Sequence, residues 1–336
     1  MGSLVDIGEK NAIRIVLECL EWMPDMPIPF GDDVSAFRLE GKILAVLKTD
    51  MLVGKTDVPP GMSLCQAARK AVVMNISDFA AKGVKPRILV AALGLPGSLS
   101  ERDIREIGRG LDMGAREYGA YVVGGDTNEA SDLIISCALM GVCHEDKLVT
   151  RSGARAGDIL AVTGYFGNAA AGLRILLNGL HVNENLEKPL LDAVLMPRAR
   201  LKEGLALAEA GVLTASIDSS DGLVWSLFEL SEASKVGFVI EDVPVALEAR
   251  EFAETCGLNP LELALYGGEE YELVLTIKPE AWETAEMIAR DLGTSLMRIG
   301  RVIEKPEILL KCGERMESLE RRGWEHFRSS HNACVR

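Results

Sequence analysis

The sequence predicts an α/β (α+β) protein of two domains, and three features support this prediction. The chain has 336 residues, which is long for one domain and ordinary for two. Short apolar runs alternate with longer amphipathic segments, as in proteins that pack helices against sheets. A polar, glycine-containing segment at 147–158 interrupts the alternation, and a new apolar run begins at Ile159. We therefore predict an N-terminal domain over residues 1–146 and a C-terminal domain over residues 147–336.

The elements of the N-terminal half follow from apolar runs and helix-end signals. The run Ile43–Leu47 predicts a buried strand that ends at Thr49–Asp50. Ser63 and Gln66 have the spacing of a capping box, and Gly83 has the place of a C-cap, which predicts a helix over 63–82. The same alternation then predicts a strand at 88–95, a helix at 100–118, and strands at 121–123 and 133–142.

The C-terminal half repeats this alternation. The segment Gly164–Gly167 lies between a predicted strand and a predicted helix but lacks the Lys-Ser/Thr of a P-loop. We interpret it as a structural turn. The predicted strands are 159–162, 214–217, 238–240 and 273–277, and the predicted helices are 169–177, 198–210, 223–233 and 281–292.

Composition excludes several classes of protein. The net charge is −14, from 36 Lys+Arg and 50 Asp+Glu, and this excess would repel nucleic-acid phosphates. Seven cysteines without a C-x-x-C pair indicate neither a disulfide framework nor a zinc ribbon, and they suit a reducing compartment. Apolar stretches are too short for a membrane span, and acidic residues come too early for a signal peptide. We expect a cytoplasmic protein without nucleic-acid or membrane partners.

Aspartates beside Gly, Ser or Thr at predicted strand or helix ends carry the most chemical information. Carboxylates at the rim of a sheet suit Mg²⁺, although each one alone is also typical of a turn or a helix cap. Asp78 differs because it lies within an apolar helix, where a buried carboxylate needs a partner or a metal. The aspartates are Asp32, Asp33, Asp50, Asp78, Asp126, Asp218 and Asp221.

Two further motifs allow a structural or a functional interpretation. Ser220–Gly222 opens an apolar helix, so it is either a plain N-cap or an anion site. Arg151 and Arg155 are either solvated surface charge or phosphate contacts across a crevice between the domains. No P-loop and no protein-kinase motif set occurs, so any ATP site must use another architecture.

Taken together and in this order, the motifs resemble those of thiamine-monophosphate kinases, of the aminoimidazole-ribotide-synthetase-like superfamily. No single motif is decisive, but the ordered set is specific and spans nearly the whole chain. The matching segments are GDD at 31–33, TDMLV at 49–53, NISDFAAKGVKP at 75–86, GGDT at 124–127, TRSGARAGD at 150–158, VTG at 162–164, DSSDG at 218–222 and GGEEYEL at 267–273.

The resemblance implies a homodimer whose N-terminal domains form a shared barrel, with ATP as co-substrate, thiamine monophosphate as acceptor and several Mg²⁺ ions. The implied magnesium ligands are Asp32, Thr49, Asp50, Asp78, Asp126, Asp218 and Asp221. The implied nucleotide contacts are Gly125, Asp126, Arg151 and Ser220. The implied substrate contacts are Asp57, Glu269 and Trp324, and the implied catalytic residues are Asp50, Asp126 and Arg151.

Three positions depart from the pattern of the bacterial members. Lys48 stands where a hydroxyl is usual, and a cation there either removes one metal site or replaces its charge. Asp57 stands where a His is usual, and Glu270 stands where an Asp is usual. These changes bear on the number of metals and on the substrate contacts rather than on the family.

Other enzymes of the superfamily and a non-catalytic nucleotide sensor are the alternatives. Aminoimidazole-ribotide synthetase remains the nearest of them. A selenophosphate synthetase needs a reactive Cys or selenocysteine in a Gly-rich N-terminal stretch, but Cys19 lies in a predicted helix. A hydrogenase maturation protein uses a terminal Cys, but Cys334 is followed by Val335–Arg336. Retention of the acidic motifs argues against a sensor, because clustered carboxylates repel one another.

Overall fold

The computed structural model describes residues 3–323 and 326–327. Within them, one sheet of five strands and another of seven strands each carry their own helices. Both sheets contain parallel and antiparallel neighbours, and the predicted two-domain α/β architecture is confirmed. No helix in the described part of the chain is both long and apolar enough to cross a bilayer.

The first sheet has the strand order β1-β2-β5-β3-β4. Its neighbours pair antiparallel, except that β3 and β4 are parallel. The strands are β1 (Ser35–Glu40), β2 (Ile43–Val53), β3 (Pro86–Leu95), β4 (Tyr121–Glu129) and β5 (Ile134–His144). The helices of this half are α1 (Leu4–Glu18), α2 (Gly54–Asp57), α3 (Leu64–Lys82) and α4 (Glu101–Glu117).

Helix α3 is the central element of the molecule. It begins with the predicted capping box, in which the Ser63 hydroxyl accepts from the Gln66 N–H at 3.2 Å and the Gln66 side chain accepts from the Ser63 N–H at 2.9 Å. It ends at Gly83, whose φ of 67° is left-handed and suits glycine. Almost the whole helix surface is buried, because α3 lies between the first sheet and the second half of the chain. Polar residues on it therefore lie inside the protein.

The second sheet has the strand order β12-β11-β8-β10-β6-β9-β7, and its β8–β11 pair is parallel. Its strands are β6 (Ile159–Val162), β7 (Leu213–Asp218), β8 (Gly237–Ile240), β9 (Leu273–Ile277), β10 (Met297–Ile303), β11 (Ile308–Cys312) and β12 (Arg315–Ser318). Its helices are α5 (Asn168–Asn178), α6 (Glu184–Leu195), α7 (Leu201–Ala210), α8 (Leu223–Ser234), α9 (Leu247–Cys256), α10 (Pro260–Tyr266) and α11 (Trp282–Asp291).

One apolar core crosses from the first half of the chain to the second. It joins residues of α3, such as Val72, to Leu201 of α7 and Leu273 of β9. The predicted division at 146/147 falls in the chain segment between β5 and β6. That boundary stays a prediction, but the shared core makes the contact between the two halves a substantial part of the fold.

The first sheet has one covered face and one open face. Leu44, Val46 and Leu139 face α3 and are buried, whereas Leu47 and Met51 are exposed on the other side. All nine residues of β4, at the edge of the sheet, are exposed. The single described chain thus leaves an apolar sheet face and an edge strand uncovered.

Two aspartates that were predicted at strand ends lie inside strands instead. Asp50 is within β2 and Asp126 is within β4. The prediction followed a rule for parallel sheets, in which ligands bind beyond the carboxyl ends of strands. The first sheet is mainly antiparallel, so its strands do not end on one common side, and the rule does not apply.

Candidate active site

Three buried carboxylates meet where the two halves of the chain join. Asp33 precedes β1, Asp78 lies on α3, and Asp218 ends β7. One carboxylate oxygen of each lies within 4.8 Å of the others. Oxygen ligands at this spacing are the donor set that a hard divalent cation requires.

Two cationic side chains, Lys82 and Arg151, form ion pairs with aspartates of the GDD segment at 31–33. Lys82 Nζ lies 3.0 Å from Asp32 Oδ1 and 2.7 Å from Asp33 Oδ2, and it donates to the Ser216 carbonyl at 2.7 Å. The Arg151 guanidinium also bonds Asp33. Burial alone would raise the pKa of Asp33, but Lys82 and Arg151 outweigh it and hold that pKa well below its usual range. Asp33 is therefore a fixed anion in this site.

Arg151 was predicted to contact nucleotide, but its own chain uses most of its donors. Nε donates to Asp33 at 2.8 Å, and Nη1 donates to Glu229 at 2.9 Å and to the Gly31 carbonyl at 3.2 Å. Its backbone N–H donates to Asp32 at 2.9 Å. A guanidinium has five N–H donors, so these bonds, with the one from Nη2 to Asp33, leave one for a phosphate. A role for Arg151 in holding the GDD segment is therefore built into the structure, and its contact with nucleotide stays a prediction.

Asp50 and Lys48 point from β2 toward α3. Lys48 Nζ lies 2.9 Å from Asp78 Oδ2 and 3.1 Å from Asp50 Oδ1. The Asp50 backbone N–H donates to the side chain of Asn75, also on α3, at 3.0 Å. Burial would lower the pKa of Lys48, but Asp78 and Asp50 outweigh it and raise that pKa. Lys48 is thus a permanent cation between two carboxylates.

The remaining carboxylates of this region bind their protons more tightly than usual. Burial, together with the charge of Asp33, raises the pKa of Asp218 to about 6, although Ser77 donates to it at 2.5 Å. Burial raises the pKa of Asp78 well above its usual value despite the opposing charge of Lys48. Burial and the neighbouring Asp218 raise the pKa of Asp221 to about 7. Burial is the main cause in all three cases, so a cation bound at these carboxylates would favour their ionised forms.

The loop after β7 joins this cluster to a cavity. Gly222 is the N-cap of α8 with a φ of 102°, so Ser220 is not the cap of that helix. The Ser220 carbonyl instead accepts from the Glu269 N–H at 2.6 Å, and the Ser219 carbonyl accepts from the Tyr271 N–H at 2.9 Å. Glu269 and Tyr271 both have left-handed φ values, of 64° and 55°. Backbone strain of this kind is typical of binding sites.

The cavity has a volume of about 500 Å³, and both halves of the chain line it. Its apolar walls include Met51, Pro59, Met74, Leu173 and Leu177, and its polar groups include Asp57, Asp221 and Glu269. Apolar walls with a few converging polar groups are typical of sites for small organic ligands.

Glu269 presents one free carboxylate oxygen in this cavity. Its Oε1 accepts from Lys70 at 2.6 Å, whereas its buried Oε2 has no hydrogen-bond partner among the described residues. A buried carboxylate oxygen without a partner is costly, so it points to a donor supplied by a ligand. Asp57 is engaged differently, because its side chain accepts from the Val53 N–H at 2.8 Å and from Thr56 Oγ1 at 3.0 Å.

A second cavity, of about 340 Å³, shares the loop after β7 with the first. It borders Arg151, Asp218, Ser220 and Asp221 and continues to Trp225 on α8. The acidic cluster therefore lies beside two adjoining cavities. This arrangement suits two ligands that must meet at the carboxylates.

Other predicted site residues lie apart from the cluster. Thr49 is exposed on the open face of the first sheet, opposite Lys48 and Asp50, because side chains alternate along β2. Asp126 is exposed on the edge strand. Gly125 packs against β3, where an added Cβ would lie 2.0 Å from the Ala91 carbonyl oxygen, so its backbone contact explains the glycine. Trp324 lies outside the described residues.

Sequence reasoning missed the buried cations and one of the three clustered carboxylates as ligands. Lys70 and Lys82 are buried on α3, and Asp33 was among the candidate aspartates of the sequence but not among the magnesium ligands that the resemblance implied. The available signal was a lysine in a helix with no exposed face, because a buried cation requires an anionic partner.

Glu270, which departs from the resembling family, caps helix α5 rather than facing the cavity. Its Oε1 accepts from the Gly167 N–H at 2.6 Å and from the Ala169 N–H at 3.2 Å. Burial raises the pKa of Glu270 to about 8, from an ordinary value of 4.5. The folded protein therefore keeps this proton at neutral pH, and unfolding releases it.

We expect this proton to make stability depend on pH. Because a raised carboxyl pKa costs stability as pH rises toward the folded-state value, the free energy of unfolding should fall between about pH 5 and pH 8. Glu270→Gln keeps the acceptor oxygen but has no proton to release. Urea unfolding across this range should show the variant gaining stability relative to the wild type as pH rises. Parallel curves would contradict the assignment of a raised pKa to Glu270.

Two family models match the chain in succession. The model of the N-terminal domain of AIR synthase related protein matches residues 31–143, and that of the C-terminal domain matches residues 155–312. Structures of the hydrogenase maturation protein HypE share the fold, with a TM-score of 0.68 and 21% identity for HypE in complex with ATP. At that identity the likeness concerns the fold alone.

More similar proteins share one activity in their names. The chain is 37% identical over 298 residues to the thiamine-monophosphate kinase of Nitrosopumilus maritimus, covering 89% of this chain and 93% of that protein. It is 31% identical over 326 residues to that of Aquifex aeolicus, covering 96% and 99%. The solved structure of AaThiL complexed with AMPPCP and TMP has a TM-score of 0.85 and 29% identity, over 97% of this chain and 99% of that chain. The chain therefore belongs to the AIR synthase related proteins and, among them, to the thiamine-monophosphate kinases.

Proposed function

We propose that this chain transfers the γ-phosphoryl group of ATP to thiamine monophosphate, giving thiamine diphosphate and ADP. The observation that carries the proposal is the buried cluster of Asp33, Asp78 and Asp218, which adjoins a cavity with a free Glu269 oxygen. The similarity to AaThiL complexed with AMPPCP and TMP supports it, because AMPPCP is an ATP analogue that resists cleavage.

The chemistry of the cluster fits Mg²⁺. Asp78 and Asp218 are hard oxygen donors, and burial raises their pKa values, so a bound divalent cation would stabilise their ionised forms. Asp50 and Asp221 lie beside them and are candidate further ligands. When bound, the metal would offset the charge of the two phosphate groups that must approach each other. Mg²⁺ as the ion, and the number of ions, remain proposals.

The protein side chains then act by positioning. The acceptor is a phosphate monoester, whose second pKa is about 6, so its oxygen is already largely anionic at neutral pH. No general base is required, and we propose direct in-line transfer without a phosphoenzyme. The first cavity would hold the thiamine rings, with the Glu269 oxygen accepting from a ring substituent or facing the thiazolium charge. The loop 218–222 would orient the phosphates between the two cavities.

A substrate panel tests this function against its nearest alternative. The purified protein is incubated with ATP, Mg²⁺ and either thiamine monophosphate, free thiamine or formylglycinamidine ribotide. We expect equal amounts of ADP and a phosphorylated product with thiamine monophosphate only. Turnover of the ribotide instead would favour an aminoimidazole-ribotide synthetase, and ATP binding without turnover would favour a nucleotide sensor.

We propose further that the chain works as a homodimer that pairs through the first sheet. The open face of that sheet exposes Phe37, Leu47, Met51 and Val90, and the edge strand β4 exposes Tyr121 and Val123. Unpaired edges and large apolar surfaces are normally covered in stable proteins. A second copy placed edge to edge would extend the two sheets into a common barrel.

In such a dimer Asp126 could contact an active site that it does not reach within its own chain. Asp50 pairs with Cys137, Cys137 with Ala91, and Ala91 with Gly125, so these four residues lie side by side across the sheet. Asp126 follows Gly125 in β4 and is therefore displaced by one residue from this line. Since successive side chains face opposite sides, Asp126 points to the open face and Asp50 to the helix face. The two strands are also three strand spacings apart, or about 14 Å. We propose that Asp126 serves the active site of the partner copy.

Mixed dimers test this proposal. Asp50→Asn and Asp126→Asn should each be nearly inactive alone, because each dimer lacks one group in both sites. After random subunit exchange, half the dimers carry both variants and have one intact site, which should restore about a quarter of wild-type activity. Native mass spectrometry would verify the exchange. Mixed dimers as inactive as their parents would contradict a shared site.

A further inference from the structure

Lys48 occupies an unusual place for a lysine in the acidic site. Its ammonium group bridges Asp78 on α3 and Asp50 on its own strand, at 2.9 and 3.1 Å. The side chain is only 17% exposed. Among the described residues its only partners are these two carboxylates.

The nearby Lys82 provides a comparison. Lys82 is fully buried, forms ion pairs with Asp32 and Asp33, and donates a hydrogen bond to the Ser216 carbonyl. It links the GDD segment to β7, because it bonds a backbone carbonyl of β7 as well as two carboxylates. Lys48 donates to no backbone carbonyl in the described chain, and its contacts are ion pairs with two carboxylates. The two lysines therefore have different functions in the same region.

An ammonium group and a divalent ion compete for the same kind of position. A magnesium ion that bridges two carboxylates lies about 2.0–2.1 Å from each oxygen. The Lys48 nitrogen lies between the Asp50 and Asp78 oxygens. A metal cannot enter that position unless the ammonium leaves it, because two cations at such close range repel strongly.

We propose that Lys48 is a built-in cation in the position between Asp50 and Asp78 that a divalent ion would otherwise take. The active site of this chain accordingly binds one divalent ion fewer than the same site without the ammonium group. This inference rests on the proposed metal-dependent function but concerns the number of ions. A count of bound ions tests it without requiring turnover.

The charges of the cluster agree with this assignment. Three cationic side chains, Lys48, Lys82 and Arg151, face a larger set of carboxylates, namely Asp32, Asp33, Asp50, Asp78, Asp218 and Asp221. Lys48→Met removes one positive charge while keeping a side chain of similar length. The variant would leave Asp50 and Asp78 without a cation, which a divalent ion can replace.

The test counts Mn²⁺ ions by electron paramagnetic resonance titration, with AMPPCP present and absent. We expect Lys48→Met to bind one Mn²⁺ more per chain than the wild type in both conditions. In EDTA the variant should melt about 5 °C or more below the wild type, because the buried Asp78 and the partly buried Asp50 lose their cationic partner. Mn²⁺ should restore most of this difference.

Two controls keep the test decisive if Lys48→Met folds poorly without metal. Lys48→Met combined with Asp50→Asn removes one charge of each sign, so it should fold in EDTA and bind the wild-type number of Mn²⁺ ions. Lys42→Met removes a lysine from the same strand region that pairs with Asp146 at the surface, and it should change neither count nor stability.

Two results would overturn the proposal. One is an equal Mn²⁺ count for Lys48→Met and wild type, with no loss of stability in EDTA. The other is an extra Mn²⁺ in Lys42→Met as well, which would make the gain unspecific. Either outcome would leave the kinase function itself untouched, since the substrate panel tests that function separately.

Discussion

Asp218→Asn should lower kcat about a thousandfold, because the change removes a charge at the point where the two phosphates must meet. Asp218 lies with Asp33 and Asp78 in the buried cluster, and no lysine or arginine pairs with it directly in the described chain. The same substitution should raise the free energy of unfolding in EDTA, because it relieves repulsion between buried carboxylates. Steady-state kinetics and urea unfolding of one preparation measure both effects.

Asp33→Asn is the matched control for the effect on stability. Asp33 is paired with Lys82 and Arg151, so its loss leaves the buried Lys82 with Asp32 and the partly buried Arg151 with Glu229 as their remaining carboxylate partners. This variant should lose about 3–5 kcal/mol of stability. The two aspartates thus change stability in opposite directions, although both lie in one cluster. A stable Asp33→Asn or a strongly destabilised Asp218→Asn would contradict the assignment of structural and catalytic charge.

Glu269→Gln should raise KM for thiamine monophosphate about fiftyfold, as expected when a charged hydrogen-bond acceptor is lost. Gln can still accept from Lys70 through its carbonyl oxygen, so the wall of the cavity should keep its shape. The effect should be confined to KM, because the residue would hold the thiamine part equally in ground and transition states. KM for ATP should not change.

Glu262→Gln controls for a general loss of one negative charge. Glu262 lies on α10, is about half exposed and pairs with Arg322. Its substitution should leave KM for both substrates unchanged. If Glu269→Gln lowered kcat alone, or raised KM for ATP as strongly, Glu269 would not be the contact for thiamine monophosphate.

The parts of the fold with local signals were predictable from sequence. The capping box at Ser63 and the glycine at 83 set the ends of α3, and the apolar runs 159–162 and 273–277 are strands with those bounds. Strand β2 extends well beyond its apolar run, to Val53, because it pairs along its whole length with β5. Such long-range pairing leaves no trace in the local pattern.

Strand β4 illustrates the same limit. The glycines in GGDT suggested that the strand stops at 123, yet it continues to Glu129. Gly125 lies close against the Ala91 backbone. The glycine therefore allows β4 to continue its pairing with β3 and does not end the strand. A glycine in a strand can mark a close approach as well as a turn, and sequence alone does not distinguish them.

For the site, the sequence indicated the residue types but not which of them meet. Asp78 was expected to be buried, and it is. The meeting of Asp33, Asp78 and Asp218 depends on how α3 packs between the two sheets, so separations along the chain do not reveal it. The opposite orientations of Asp50 and Asp126 likewise depend on strand register. The ligand roles of Asp32, Thr49 and Asp221 stay predictions.

The most direct test of the proposed reaction is a single turnover with ATP labelled in the γ-phosphate, Mg²⁺ and thiamine monophosphate. We predict that the label appears in thiamine diphosphate in a one-to-one ratio with ADP, and that none appears on the protein at any time. Label in inorganic phosphate alone, or label trapped on the protein on the way to product, would contradict direct phosphoryl transfer to thiamine monophosphate.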